Sequence, residues 1–334
     1  MRKQHDDNGD IAGTALLLPK RRVVQLAVLG LCFAVITGCN SYKERQRTRA
    51  SEESSRARTE PSRSPEPMRD NAKSVQPQVQ SEINRMEAEK RAELLKEAQT
   101  ALEDTRAAMA ALDAGDRKAA LAALERAIGK LDVVVARDPK LGLAPVSVNT
   151  TILDLYATID SVKAAIDRAK ADLSDNRVQQ ARALLQTLAS EARIDVTELP
   201  LATYPAAIRA VVPMIEAGKT AEAKTALQSA LNTLVIETIV IPLPRVRAQE
   251  MLKEADQLAS KPNRSQEENQ RLNTLIEGAR YQLQLAETLG YGRKEDYKPL
   301  YSQLDEIKKK TEGGKYGKGF FDRISESVKN FKFT

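Results

Sequence analysis

The chain has 334 residues and a formal charge of +6, with 52 lysines and arginines against 46 aspartates and glutamates. Most of that positive surplus lies in the first 80 residues, so the remainder lacks the clustered charge of a DNA-binding footprint and no nucleic-acid partner is expected. The single histidine is His5 and the two cysteines are Cys32 and Cys39; if the leader is removed, Ser-His-Asp, Cys-His and His/Cys zinc chemistry leave with it.

Lys20, Arg21 and Arg22 form a cationic block before the almost wholly apolar run from Val23 to Ile36, the layout of a signal peptide. The run is shorter than the roughly 20 residues that a membrane-crossing helix needs. Small Thr37 and Gly38 precede Cys39, and ITGC at 36–39 resembles a bacterial lipoprotein lipobox, with Ile36 where leucine is usual. That resemblance implies cleavage between Gly38 and Cys39, a lipid on the Cys39 thiol, and a membrane partner reached through the anchor. Asn40, in place of an inner-membrane aspartate signal, directs the expectation to the outer membrane on the periplasmic side. With that thiol carrying the lipid, no disulfide, metal site or cofactor is expected, and packing must hold the fold.

From Asn40 to Gln80 the sequence is rich in Ser, Arg, Glu and Pro and poor in large apolar residues. Such composition does not repay the entropy of ordering, so residues 39–80 are expected to be a disordered tether with a reach on the order of 35 Å. A long helix is expected from about Glu82, because Leu94, Ala98, Ala101, Leu102, Thr105, Met109 and Leu112 recur at three- and four-residue spacing. Its charged beginning, INRMEAEKRAE, would project or pair with another chain.

Three phrases then align: LDAGDRKAALAAL, LSDNRVQQARALL and IEAGKTAEAKTAL. They place Gly115, Asn176 and Gly218 in one column, Ala120, Ala181 and Ala223 in a second, and Leu124, Leu185 and Leu227 in a third. Gly and Asn accept the left-handed backbone that closes a helix, so each phrase predicts an antiparallel helical hairpin. The phrases resemble tetratricopeptide pairs, but their unequal spacing argues against a regular solenoid. Proline-ended β-branched runs, RIDVTELPL (193–201) and LVIETIVIPLP (234–244), predict two strands that pair, with PVSVN (145–149) as a third. The expected fold is mainly α, helical hairpins or a bundle braced by a small β-sheet of two or three short strands.

LPLATYPAAI (199–208), IEAGKTAEAKTAL, LNTLVIETIVIPLPRVRAQEML (231–252) and AETLGYG followed by EDY (286–297) resemble the YfdX family of exported bacterial proteins, across roughly Leu131 to Ile307. The resemblance implies a mostly helical periplasmic domain linked to acid and drug stress, with chaperone-like or small-molecule binding and no accepted catalytic mechanism. The expected organisation is a signal peptide (1–38), the lipidated cysteine and tether (39–80), a helical YfdX-like domain (81–310) and a basic amphipathic tail (311–334).

Catalysis is not expected. Glu198 and Glu237 are single acids without an evident partner, and GKT at 218–220 lacks a phosphate-loop framework. The candidate binding surface is Tyr204, Pro205, Pro242, Pro244, Arg245 and Arg247, drawn toward the sheet ends if the strands pair, with the bland alternative that these residues only end strands and open helices. Phe320, Phe321, Ile324, Val328 and Phe331, among lysines, form a tail for a membrane or partner, or for the chain's own core. Expected partners are unfolded clients or small apolar, drug-like ligands. The alternatives are a scaffold that self-associates into a homo-oligomer through its helices, or a carboxylate-based hydrolase.

Overall fold

The computed structural model describes residues 66–331 except Tyr316 and Lys318. The leader, Cys39 and the tether up to residue 65 lie outside the described residues, as does Lys332 onward. Helices α1 (Glu66–Ser74), α2 (Gln76–Ala92), α3 (Lys96–Asp113) and α4 (Arg117–Arg137) lead into strand β1 (Leu143–Leu153). After β1 come α5 (Ile159–Ser174), α6 (Val178–Gln186), β2 (Glu191–Pro200), α7 (Tyr204–Arg209), α8 (Val212–Glu216), α9 (Thr220–Leu231) and β3 (Val235–Pro242). The chain continues through α10 (Leu243–Ala259), α11 (Gln266–Leu289), α12 (Lys294–Thr311) and α13 (Asp322–Lys329). The fold is mainly α with one three-stranded antiparallel sheet in the order β1-β2-β3, as expected.

All three predicted hairpins form where the aligned phrases place them. Gly115, Asn176 and Gly218 each adopt positive φ (77°, 59° and 75°), closing α3, α5 and α8. Ala120, Ala181 and Ala223 are fully buried against the preceding helix, where a larger side chain would hold the pair apart. The Asp116 carboxylate caps α4 by accepting from the Ala119 amide at 2.9 Å.

Two apolar cores flank the sheet. The first gathers Val75, Val79 and Ile83 of α1–α2, the Ala192–Ile194–Val196 row of β2, Ile241 of β3, and α10 to α13. The second gathers α3, α4 and α7 to α9 around Ala144, Val146 and Leu199. A bulge between Pro145 and Ser147 lets β1 serve both. It puts Ala144 opposite Leu199 and Val148 opposite Val196, residues that lie on opposite faces of β2, so one strand changes the face it offers to the cores.

Three expectations about the N-terminal segment are corrected. Residues 66–80, read as tether, are helical: Ala72, Val75, Val79 and Ile83 recur at helical spacing and are buried. Four small apolar residues on one stripe are enough to dock a helix that average composition hides. The single long helix from Glu82 is instead α2 and α3, broken at Glu93–Leu95. Leu95 turns extended and its amide donates to the Pro145 carbonyl at 3.0 Å, so β1 takes a backbone group the helix would have used. The charged INRMEAEKRAE stretch lies on the first core through Ile83, its charges meeting one another in Arg85–Glu89, Arg91–Glu87 and Lys90–Glu93 pairs. The tail also docks inward. Phe321, Ile324 and Val328 are buried, and the Phe331 ring lies 4.8 Å from that of Tyr297. The half-buried Phe320 packs against the same core, so all five apolar anchors of the tail meet the chain's own core, the second of the two outcomes expected for it.

Candidate functional site: a latched helical arm and its cleft

Strand register brings three segments together at one end of the sheet. Glu191 pairs with Leu153 on one side and Pro242 on the other. The residues just beyond, Asp154, Ser190 and the first turn of α10, therefore meet, and the Leu243 amide donates to the Ser190 carbonyl at 2.9 Å. Pro244 opens α10 with its preset φ, one turn before Arg247.

The Arg247 side chain is 1% exposed and forks onto Asp154, Nη1 to Oδ1 at 3.0 Å and Nη2 to Oδ2 at 2.6 Å. Nη2 also donates to Gln76 Oε1 and to the Tyr156 hydroxyl, both at 3.3 Å, and the guanidinium lies 5.3 Å from the centre of the Tyr156 ring. Burial, then the Asp154 carboxylate, pushes the Tyr156 hydroxyl above its ordinary pKa. Ser190 Oγ donates to Asp154 Oδ1 at 3.1 Å. The Ser190 amide donates to the Tyr291 hydroxyl at 3.0 Å, which in turn donates to Glu191 at 2.6 Å. Burial and that carboxylate raise the Tyr291 pKa strongly. The Asp154 carboxylate is thus committed to Arg247 and Ser190 rather than poised as a base. Such a pair holds position, because removing the Asp154 carboxylate would leave the buried Arg247 guanidinium without its charged partner.

What it holds are the two ends of the α5–α6 hairpin. Asp154 and Tyr156 lead into α5, while Ser190 and Glu191 follow α6; the Tyr281 hydroxyl donates to the Ala157 carbonyl at 3.1 Å, tying the same junction to α11. Beyond this latch the hairpin is an arm, since neither apolar core includes any residue of 159–186. It is closed internally by Ala169, Ala181 and the buried Asp172, which accepts from Arg177 Nη2 at 2.7 Å and Nε at 3.0 Å. Arg177, followed by Arg168 nearby, holds the Asp172 carboxyl below the usual aspartate value. Leu173, Val178 and Leu185 remain 47%, 53% and 48% exposed. A cleft of about 720 Å³ lies between α5 and α11, lined by Ile159, Lys163, Ile166, Asp167 and Lys170 on one wall and Gln284, Glu287 and Thr288 on the other, with Lys294 contributed by the start of α12.

The predicted binding surface is divided and largely buried. Because the strands are antiparallel, Pro200 and Pro242 lie at opposite ends of β2, and their following turns separate with them. Tyr204 fills the second core and Pro205 is buried beside it, while Pro242, Pro244 and Arg247 are buried at the latch and Arg245 is half-buried. A shared Pro-Leu ending suggested proximity only because strand direction is invisible in the dipeptide. Arg247 was thus named for the wrong role, as an exposed anion hook rather than an internal pin. Its partner Asp154 carried no local signal, and only the register links residues 93 positions apart.

Glu198 and Glu237 are also brought closer than two isolated acids. Val196 faces Glu237 and Glu198 faces Val235, so both carboxylates share one sheet face. Burial, then the Glu237 charge, raises the Glu198 pKa. Among the described residues no group of three or more His, Cys, Asp or Glu could hold a metal ion. Among them, too, no helix is long and apolar enough to cross a membrane.

Residues 101–240 match the family model described as YfdX protein. Among curated proteins no relative matches the chain. A solved structure of Salmonella Typhi YfdX is 15% identical, covering 45% of this chain and 93% of that chain at a TM-score of 0.32. The family match begins earlier than the resemblance read from the sequence and ends within β3, short of the AETLGYG phrase. The segment from within α3 to within β3, with the whole arm inside it, thus matches the YfdX protein family.

Proposed function

We propose that the chain is an exported, lipid-anchored binding protein of the cell envelope that serves in stress responses without catalysis, receiving unfolded clients or small apolar molecules on its arm. One observation carries the reading: the α5–α6 hairpin stands outside both cores with three large apolar residues exposed, yet both its ends are tied at Asp154 and Ser190 to the buried Arg247. A hairpin that served only to fill space would bury those residues. Val178 and Leu185, seven apart, lie on one face of α6, where an extended apolar partner could lie along them. The leader, the ITGC junction and the YfdX match support the envelope and stress assignments.

The test is suppression of aggregation of a denatured client at acidic pH by the purified chain, compared with a Leu173→Ser, Val178→Ser, Leu185→Ser variant. The wild type is expected to protect and the variant to lose most protection while keeping its helical circular dichroism. Equal protection by both, or no protection over a range of clients, would sink the reading. Mass spectrometry of the membrane-extracted protein tests the anchor, expecting an acylated Cys39 at the N-terminus.

Self-association is the second reading, favoured by a different element from the first helix. β3 is an edge strand with Val235, Ile236 and Val240 exposed and no lysine or proline before Pro242, the features that usually blunt an edge. Sedimentation should then show a larger species that Ile236→Lys dissociates. A monomer across working concentrations would remove this alternative.

A further inference from the structure

We propose that the cleft between α5 and α11 is a site for an anionic amphiphile, a single carboxylate or sulfonate head on an aliphatic body. The inference rests on the arm being a binding element and names the class of small ligand it takes. Ile159, Lys163, Ile166 and Lys170 line the cleft from α5 at three- and four-residue spacing, so aliphatic and cationic groups alternate along one wall, with Asp167 the one acid on it, next to Lys170. The stripe is about 16 Å long at the rise of an α-helix, suited to a medium-length aliphatic chain. Both isoleucines are half-buried although neither belongs to an apolar core, so they present hydrocarbon to the cleft itself.

The charges in the cleft are unequal in their commitments. Lys170 lies 3.5 Å from Asp167, and Glu287 accepts the Tyr301 hydroxyl at 2.6 Å. Lys163 and Lys294 have no ion pair or hydrogen bond among the described residues. Two uncommitted ammonium groups beside an aliphatic wall favour a ligand with negative charge at one end and hydrocarbon at the other. A doubly charged or wholly polar anion would leave the isoleucines unused, and a cationic amphiphile would meet the lysines. The volume, about 720 Å³, suits a ligand of this size.

Titration calorimetry of the full chain with dodecanoate, below its micelle concentration at pH 7, tests the proposal alongside dodecanol and acetate. Dodecanoate is expected to bind saturably with one molecule per chain, dodecanol at least about tenfold more weakly, and acetate not at all. Lys163→Gln with Lys294→Gln should weaken dodecanoate by at least about tenfold. Lys309→Gln, a surface change away from the cleft, should leave binding unchanged. Amide exchange over residues 159–186 should slow when dodecanoate binds. If dodecanol matches dodecanoate, or the double variant binds as the wild type does, the anionic assignment falls while slowed exchange would keep the arm as a binding element. If neither amphiphile binds, the cleft assignment falls, and the client assay alone then decides whether the arm receives proteins.

Discussion

The α3–α4 hairpin and the α5–α6 arm are written with the same phrase and end in different circumstances. Each closes on a left-handed Gly115 or Asn176, and each packs its helices over a fully buried Ala120 or Ala181. Four residues later the likeness stops, for Leu124 is completely buried and Leu185 is 48% exposed. The local code builds the hairpin, whereas the neighbours decide its outer face. α3–α4 meets α7 to α9 and part of the sheet, and Leu124 completes a core with Leu227 and Tyr204. The arm packs chiefly along α11, and Leu185 of its third column enters neither core. A sequence repeat therefore predicted a shape in both places and a core in one.

The largest effect should come from cutting the latch that holds the arm to the body. Asp154→Ala leaves Arg247 charged and buried, and is expected to lower unfolding free energy by about 3 to 5 kcal/mol in urea titration. Asp154→Leu with Arg247→Met should recover most of that loss, because no buried charge is then left unpaired. Amide exchange should also rise first in residues 159–186, and a uniform rise across both cores would show that the pair serves general stability instead. Next comes the comparison between hairpins. Leu124→Ala should cost about 2 to 5 kcal/mol through the cavity it opens, and Leu185→Ala no more than about 0.5 kcal/mol. Similar losses at both positions would mean that the arm is packed after all.

The smallest effect separates arm and tail by pH. Asp172 in the arm has a lowered pKa, so its stabilisation is complete above the ordinary aspartate value of 3.8 and is lost as pH falls through the folded value below it. Asp256 on α10 is raised by burial and then by Asp322 of the docked tail. Folding therefore disfavours its ionised form, and the tail should tighten as pH falls through that raised value toward 3.8. Asp256→Asn should abolish this acid gain and stabilise the chain at pH 7 by at most about 1 kcal/mol. Exchange protection in residues 320–329 and 159–186, taken relative to the intrinsic rate at each pH from 7 to 3, should move in opposite directions. A parallel change would contradict the two assignments.

By itself the sequence determined the local elements and their closures: helical hairpins at Gly115, Asn176 and Gly218, proline-ended strands, and a mainly helical fold with a small sheet. These follow from backbone conformation and apolar spacing over a few residues, where the physics is short-range. Tertiary structure alone decided that Pro200 and Pro242 lie at opposite ends of the sheet, that Val79 and Phe321 complete a core rather than border it, and that Asp154 meets Arg247 across 93 positions. Those outcomes depend on strand direction and register, set by the cooperative burial of whole faces. No short segment holds that information, because a proline-leucine pair or a lone aspartate reads the same whether its neighbours arrive from one side of the sheet or the other.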